Sequence, residues 1–183
     1  QSGETIDVVE SAKDMKKRGM YVSALVNVMG SALSRLADET IPLMTGPEIC
    51  VASTKALTAM VSHLILLASA VSSKRAYGQT IVKCAAKSIE MLLTPQYFKK
   101  YLVPVIPLLA EQKNMFYIGR GFAYATALES AIKMKEIAYI HAEGFAGGEL
   151  KHGMIALIEK GTPCVVFAPD DANYDAVVAN AKE

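Results

Sequence analysis

Charge of either sign is nearly absent as an excess: 19 Lys and Arg stand against 18 Asp and Glu, a formal net charge of +1. No long run of Lys or Arg occurs, and aromatics make up only 7% of the residues. The basic surface that nucleic acid or an anionic membrane would require is therefore missing. Cysteine is scarce as well. Cys50, Cys84 and Cys164 are odd in number, and their spacing fits neither a disulfide framework nor a zinc site. Each is flanked by apolar residues and reads as a small buried hydrophobe in a reducing cytoplasm. The longest apolar stretch, Ala56 to Val71, falls short of the roughly 20 residues needed to cross a bilayer and contains His63. It reads as a core helix, and no signal peptide is visible. What the chain has in quantity is hydrophobic residues, 52% of 183, enough for a sizeable packed core in one domain or in parts of two.

Strand-like and helix-like segments alternate. A helix is expected from Thr5 or Asp7 to about Arg18, with Gly19 as its stop, followed by a buried strand over Met20–Val28. A short helix at Ser31–Ala37 and a short strand at Glu39–Met44 lead to the Gly46-Pro47 turn. Ser53–Arg75 reads as one long helix, with Leu57, Met60, Val61, Leu64 and Leu67 at helical spacing. Tyr77–Gln112 carries Pro95, Pro104 and Pro107 and no strand-like run. Beyond it come a strand at Asn114–Ile118, a helix at Tyr124–Ile140, short helical pieces over Gly148–Leu157, a strand at Thr162–Ala168 and a last helix at Asn173–Glu183. The alternation favours an α/β fold with parallel sheets, built as two similar αβα units. Residues 1–76 are assigned to the first unit, 77–112 to a helical linker and 113–183 to the second unit.

Three segments carry candidate chemistry. Gln1-Ser2-Gly3-Glu4-Thr5 precedes a helix, where backbone N–H groups and hydroxyls can meet an anion; Gly3 allows close approach, and Glu4 should point away. It lacks the Gly-Lys-Ser/Thr ending of a P-loop. A second polar loop, Val51 to Lys55, opens the long helix, with Ser53 as its natural N-cap. Glu129, Lys133 and Glu136 fall at i, i+4 and i+7 and so share one helix face. Taken alone, each of these is ordinarily a cap or a solvated ion-pair stripe. The stretch from Tyr139 to Gly153, with His141, His152 and several glycines, reads as loop of the kind that forms functional sites. His141, Glu143, Glu149 and His152 do not have the spacing of a known metal motif, so no metal is expected. A keto–aldo isomerisation needs a carboxylate to move a proton between adjacent carbons, an acid/base to open the ring, and a grip on the phosphate. Glu136, His152 and the Gln1–Thr5 loop are one candidate for each task.

Together these segments resemble the sugar isomerase (SIS) domains, most of all those of the glutamine–fructose-6-phosphate aminotransferases. The resemblance rests on residues 1–5, on Gly-Pro-Glu-Ile-Cys-Val-Ala-Ser-Thr-Lys-Ala at 46–56, and on Gly-Arg-Gly at 119–121. It rests further on Ala-Leu-Glu-Ser-Ala-Ile-Lys-Met-Lys-Glu-Ile at 127–137 and on Tyr-Ile-His-Ala-Glu-Gly with Gly-Glu-Leu-Lys-His-Gly across 139–153. It implies a flavodoxin-like duplicate that binds fructose 6-phosphate and forms glucosamine 6-phosphate without cofactor. It implies that Gln1, Ser2, Gly3 and Thr5 hold the phosphate and that Val51 and Ser53 line the sugar site. Glu136 would be the base, Lys133 its partner and Glu129 a supporting group. His152 would open the ring from the neighbouring subunit of a homodimer. It further implies that the chain is a piece of a longer protein, with strands before Gln1, a tail after Glu183 and a glutaminase domain. Cys50 stands where the family has glycine, and Met154 where it has proline. Two other readings stay open: a sugar-phosphate deglycase or isomerase without a glutaminase, and a non-catalytic module that senses sugar phosphates.

Overall fold

The computed structural model describes all residues from Gln1 to Glu183, which divide into two units, Gln1–Met91 and Leu92–Glu183. In the first unit, Ile6–Lys17 forms helix α1, which buries Val9 and Ala12. The chain then turns at Gly19 into strand β1, Ser23–Val26. Alternation decides the faces: Val22, Ala24 and Val26 are buried, whereas Ser23 is exposed. Helix α2, Ala32–Leu36, leads to strand β2, Glu39–Pro42, which pairs with β1 in parallel from Ser23 opposite Glu39 to Val26 opposite Pro42. Asp38 fixes the start of this pair, accepting from the Val22 N–H at 2.8 Å and pairing with Lys16.

The helix expected over Ser53–Arg75 ends at Val71, and a second helix begins at Arg75 and runs through the stretch expected as helical linker. Lys55–Val71 forms α3, and Arg75–Leu92 forms α4. The break falls at Ser72–Lys74, where Ser73 adopts a left-handed conformation with φ of 59°. The two helices approach closely at Gly78, where any Cβ would overlap the Ser69 side chain.

The second unit opens with short helical turns: α5 at Pro95–Tyr97, a wide π-type turn at Phe98–Leu102, and α6 at Ile106–Leu109. Its core is a three-stranded parallel sheet. Strand β3, Asn114–Gly119, lies between β4, His141–Ala146, and β5, Cys164–Val166. Being central, β3 is buried from Met115 to Gly119. Helix α7, Phe122–Ala138, lays Ala123, Ala127 and Ala131 against the sheet, where Met115, Tyr117 and Ala142 complete the core. Two 3-10 turns, Gly147–Glu149 and Met154–Leu157, follow β4, and helix α8, Tyr174–Ala181, closes the chain.

Two expectations are corrected. Residues 141–146 are a strand, not a loop: their polar composition is accommodated because only Ala142 is fully buried, while Gly144 lets α7 come close. The cysteines are exposed, not buried. Apolar neighbours in sequence do not fix the face, and Cys84 lies on the exposed side of α4 and Cys164 on the edge strand β5. No helix is long and apolar enough to cross a membrane.

Candidate functional site

In the first unit, the two polar loops lie beyond the C-terminal ends of the paired strands, where open α/β sheets present ligand crevices. Asn27 directly follows β1, and its backbone N–H donates to the Gln1 carbonyl at 3.0 Å. Gly3 is buried, has φ of +72°, and passes Ser31 so closely that any Cβ would overlap the Ser31 side chain. Its carbonyl accepts from Leu33 N–H at 2.9 Å. Glu4 is turned back onto α2, its carboxylate accepting from Ala32 N–H at 2.9 Å. This leaves the opening of α1 free of acid from that side chain. Thr5 occupies the N-cap position of α1 but makes no side-chain cap bond. The first intrahelical bond at this end is Val8 N–H to Thr5 O, 3.1 Å. The N–H groups of Ile6 and Asp7 precede it and find no partner within the helix. Gln1, Ser2, Gly3 and Thr5 thus lie in one turn that offers backbone donors and two hydroxyls to an anion.

The second loop is organised differently from the expectation. Ser53 does not cap α3. Thr54 holds the N-cap position without a side-chain cap bond of its own. Glu48 supplies the cap from across the loop: its carboxylate accepts from the Thr54 N–H at 2.8 Å, the Thr54 hydroxyl at 3.2 Å and the Ser53 hydroxyl at 3.2 Å. The Thr54 N–H above all holds the Glu48 carboxyl below its ordinary pKa. Lys55 ties the loop again, donating to the Pro47 carbonyl at 2.7 Å. Ser53 is left half-buried and Val51 exposed, 86% accessible, at the outer rim of the loop.

In the second unit, α7 carries the charged stripe. At 100° per residue, Glu129, Lys133 and Glu136 lie roughly opposite the sheet-facing Ala127 and Ala131. Lys133 Nζ bridges both carboxylates, at 3.2 Å from Glu129 and 2.7 Å from Glu136. All three side chains are half-buried. The hydrogen bond to Glu136 is the main reason the Lys133 pKa is raised, against a partial opposing effect of desolvation. The ammonium therefore stays charged and holds two carboxylates side by side, a pairing that would otherwise be repulsive.

His152 lies in an exposed turn between the two 3-10 segments. Its backbone N–H donates to the Glu149 carbonyl at 3.0 Å, and the turn is anchored by Leu150, 2% accessible. Arg120, after β3, donates to Asn180 of α8 at 3.3 Å, and both border the close-packed Gly147. The structure thus brings Glu129, Lys133 and Glu136 together, and His152, on its own turn, makes no hydrogen bond or ion pair with them. Sequence reasoning missed Glu48 and Asn27. Glu48 stands six residues before the N–H it caps, outside the capping-box spacing, and an Asn after a strand carries no distinctive signal.

The SIS domain family matches residues 1–70 and 108–183. The chain belongs to that family. Among curated relatives, glutamine–fructose-6-phosphate aminotransferase (isomerizing) of Clostridium acetobutylicum is 42% identical over 192 residues, and that of Brucella abortus 40% identical over 190. Both alignments cover all of this chain and 31% of the relative, so the SIS chain spans about a third of their length. Among solved structures, the C-terminal domain of glucosamine-fructose-6-phosphate aminotransferase from Francisella tularensis superposes with a TM-score of 0.87 at 31% identity. That match covers 100% of the SIS chain and 53% of the solved one. The mixed α/β architecture with parallel sheets is the one these SIS structures share.

Proposed function

We propose that this SIS chain is the isomerase part of a glutamine–fructose-6-phosphate aminotransferase, binding fructose 6-phosphate and converting the aminated ketose to glucosamine 6-phosphate. Gln1, Ser2, Gly3 and Thr5 take the phosphate, using the N–H groups at the start of α1. Val51 and Ser53 border the sugar. Glu136 removes a proton from one carbon and returns it to the adjacent one, so no proton is gained or lost overall. Lys133 keeps that carboxylate placed, and Glu129 supports Lys133 from one turn earlier. His152 passes protons to and from the ring oxygen, acting from the neighbouring subunit of a homodimer. The ammonia comes from a glutaminase domain of the full-length protein, and the reaction runs in the cytoplasm.

The observation that carries this reading is the trio on α7. A half-buried carboxylate lies 2.7 Å from a lysine ammonium, on the helix face turned away from the core. The sheet-facing core of α7 is made by Ala123, Ala127 and Ala131 on the opposite face, so core packing does not account for the trio. In the full-length protein, Glu136→Gln keeps the size of the side chain but removes the proton acceptor. Isomerisation should fall on the order of 100-fold or more. Calorimetric affinity for fructose 6-phosphate should stay within a few-fold of the parent. Near-normal turnover would take Glu136 out of the mechanism. Equal affinity for fructose and fructose 6-phosphate would remove the phosphate role of residues 1–5.

A further inference from the structure

The two polar loops of the first unit are joined at their roots by a single residue, through its backbone to one and its side chain to the other. Asn27, directly after β1, donates from Nδ2 to the Gly46 carbonyl at 2.7 Å. Its Oδ1 accepts twice from Thr45, from the backbone N–H at 3.2 Å and from the hydroxyl at 2.9 Å. Its backbone N–H holds the Gln1 carbonyl at 3.0 Å. The side-chain amide can make four hydrogen bonds, and three are used on one short segment. That segment is where loop 46–54 begins, and it is conformationally unusual: Met44 and Gly46 both have positive φ, 59° and 67°. Glycine adopts such a φ freely, but Met44 keeps it only where its surroundings over-determine it. Asn27 does this from the end of β1, and it is the same residue that fixes Gln1.

We infer that Asn27 is a positioning residue of the sugar-phosphate site, setting the separation between the turn at Gln1–Thr5 and the loop bearing Val51 and Ser53. The inference rests on the reading of these loops as phosphate and sugar contacts. Asn27 touches no substrate in this role. It acts through the distance between two groups of residues that must meet the two ends of one ligand. Removing it should leave each loop able to take its own part of the ligand and impair only their joint use. A purely structural asparagine would change stability without distinguishing ligands that span both loops from ligands that use one.

The test uses the full-length protein and compares fructose 6-phosphate, which reaches both loops, with inorganic phosphate, which needs only the first. Asn27→Ala should raise KM for fructose 6-phosphate about tenfold, with kcat within about threefold of the parent. Affinity for inorganic phosphate should remain within about threefold. Asn27→Asp keeps the acceptor for Thr45 but loses the donor to Gly46, and should fall between parent and alanine. If the alanine variant does not fold, Thr45→Val removes one of the three bonds and should raise KM about threefold with kcat unchanged. A KM within error of the parent in whichever of these variants folds would overturn the inference, as would equal loss of both ligands. If the parent itself binds no fructose 6-phosphate, the reading of the loops fails and this inference falls with it. If the parent binds and the variants bind equally well, only the role of Asn27 is lost.

Discussion

Glu48 and Thr54 are joined twice: one carboxylate oxygen accepts from both the Thr54 N–H, at 2.8 Å, and the Thr54 hydroxyl, at 3.2 Å. All the donors around this carboxylate favour its ionised form, and its pKa in the folded chain is accordingly depressed. A depressed folded-state value means stabilisation that is present above the unfolded pKa and lost as pH falls through the folded one. Loop 46–54 and the first turn of α3 should therefore loosen on acidification below the ordinary glutamate range and be indifferent to mild alkali. Amide exchange at Thr54 and Ala56, corrected for intrinsic rates, should accelerate over that acid window. Glu48→Gln should abolish the dependence and lower protection at neutral pH. Unchanged protection in that variant would mean that the loop is held by something else.

Lys133 separates stability from activity. Its pKa is raised in the folded chain, so its contribution is complete below the unfolded lysine value and disappears as pH rises through the folded one. Helical ion pairs of this kind contribute only about 0.3–0.5 kcal/mol each, and the lysine side chain is 23% accessible. Lys133→Met should thus cost less than about 1 kcal/mol in chemical denaturation. Isomerisation should drop by on the order of 10–100-fold, since Glu136 loses its anchor. A large stability loss with intact turnover would assign the lysine to folding alone.

His152 is held on an exposed turn with no side-chain partner in its own chain. If it serves a neighbouring subunit, neither His152→Ala nor Glu136→Gln homodimers should be active. Mixed dimers would contain one site with both groups intact, so random mixing should restore roughly a quarter of parental activity for a twofold-symmetric pair. Absence of recovery, with mixed dimers demonstrated by differential tagging, would place His152 in its own subunit's site.

Gly144 is a point of close approach between β4 and α7 in the second unit. A Cβ there would lie 2.8 Å from the Ala127 carbonyl oxygen and 2.9 Å from Leu128 Cα. Both neighbours are backbone and cannot rotate away. Gly144→Ala should destabilise by about 1–3 kcal/mol, and Gly144→Val by more, because α7 must lift from β4. The denaturation midpoint should fall with little change in slope. A neutral alanine substitution would show that α7 shifts freely on the sheet.

The element types were legible where burial follows a simple period. The alternation at Val22, Ala24 and Val26, the apolar block at Met115–Ile118 and the helical spacing of Glu129, Lys133 and Glu136 all describe what the structure contains. Other features depend on partners distant in sequence. Strand β4 carries His141, Glu143 and Gly144 in place of a strand-like apolar run, and exists because β3 supplies its hydrogen bonds in register from Asn114 to Gly119. The break after Val71 turns on one serine in a left-handed conformation, which helical periodicity does not encode. The exposure of the cysteines depends on which face is covered, not on neighbours along the chain. In the candidate site, the residues with distinctive chemistry could be named from the sequence. Glu48 and Asn27, which hold the loops, could not, because their partners are backbone groups 6 and 18 or 19 residues away.

The placement of β3 between two later strands also imposes an order on synthesis. β4 leaves the ribosome soon after α7, but the other edge of β3 finds its partner only when Cys164–Val166 emerges. At about 5–20 residues per second, the stretch from Ala146 to Cys164 takes on the order of a second or more to make. During that interval the most apolar strand of the unit has one row of backbone groups unsatisfied. The nascent chain is then most vulnerable to pairing with a stranger. A pause in translation while residues 147–163 are emerging would lengthen that exposure, whereas one after Val166 has emerged would not.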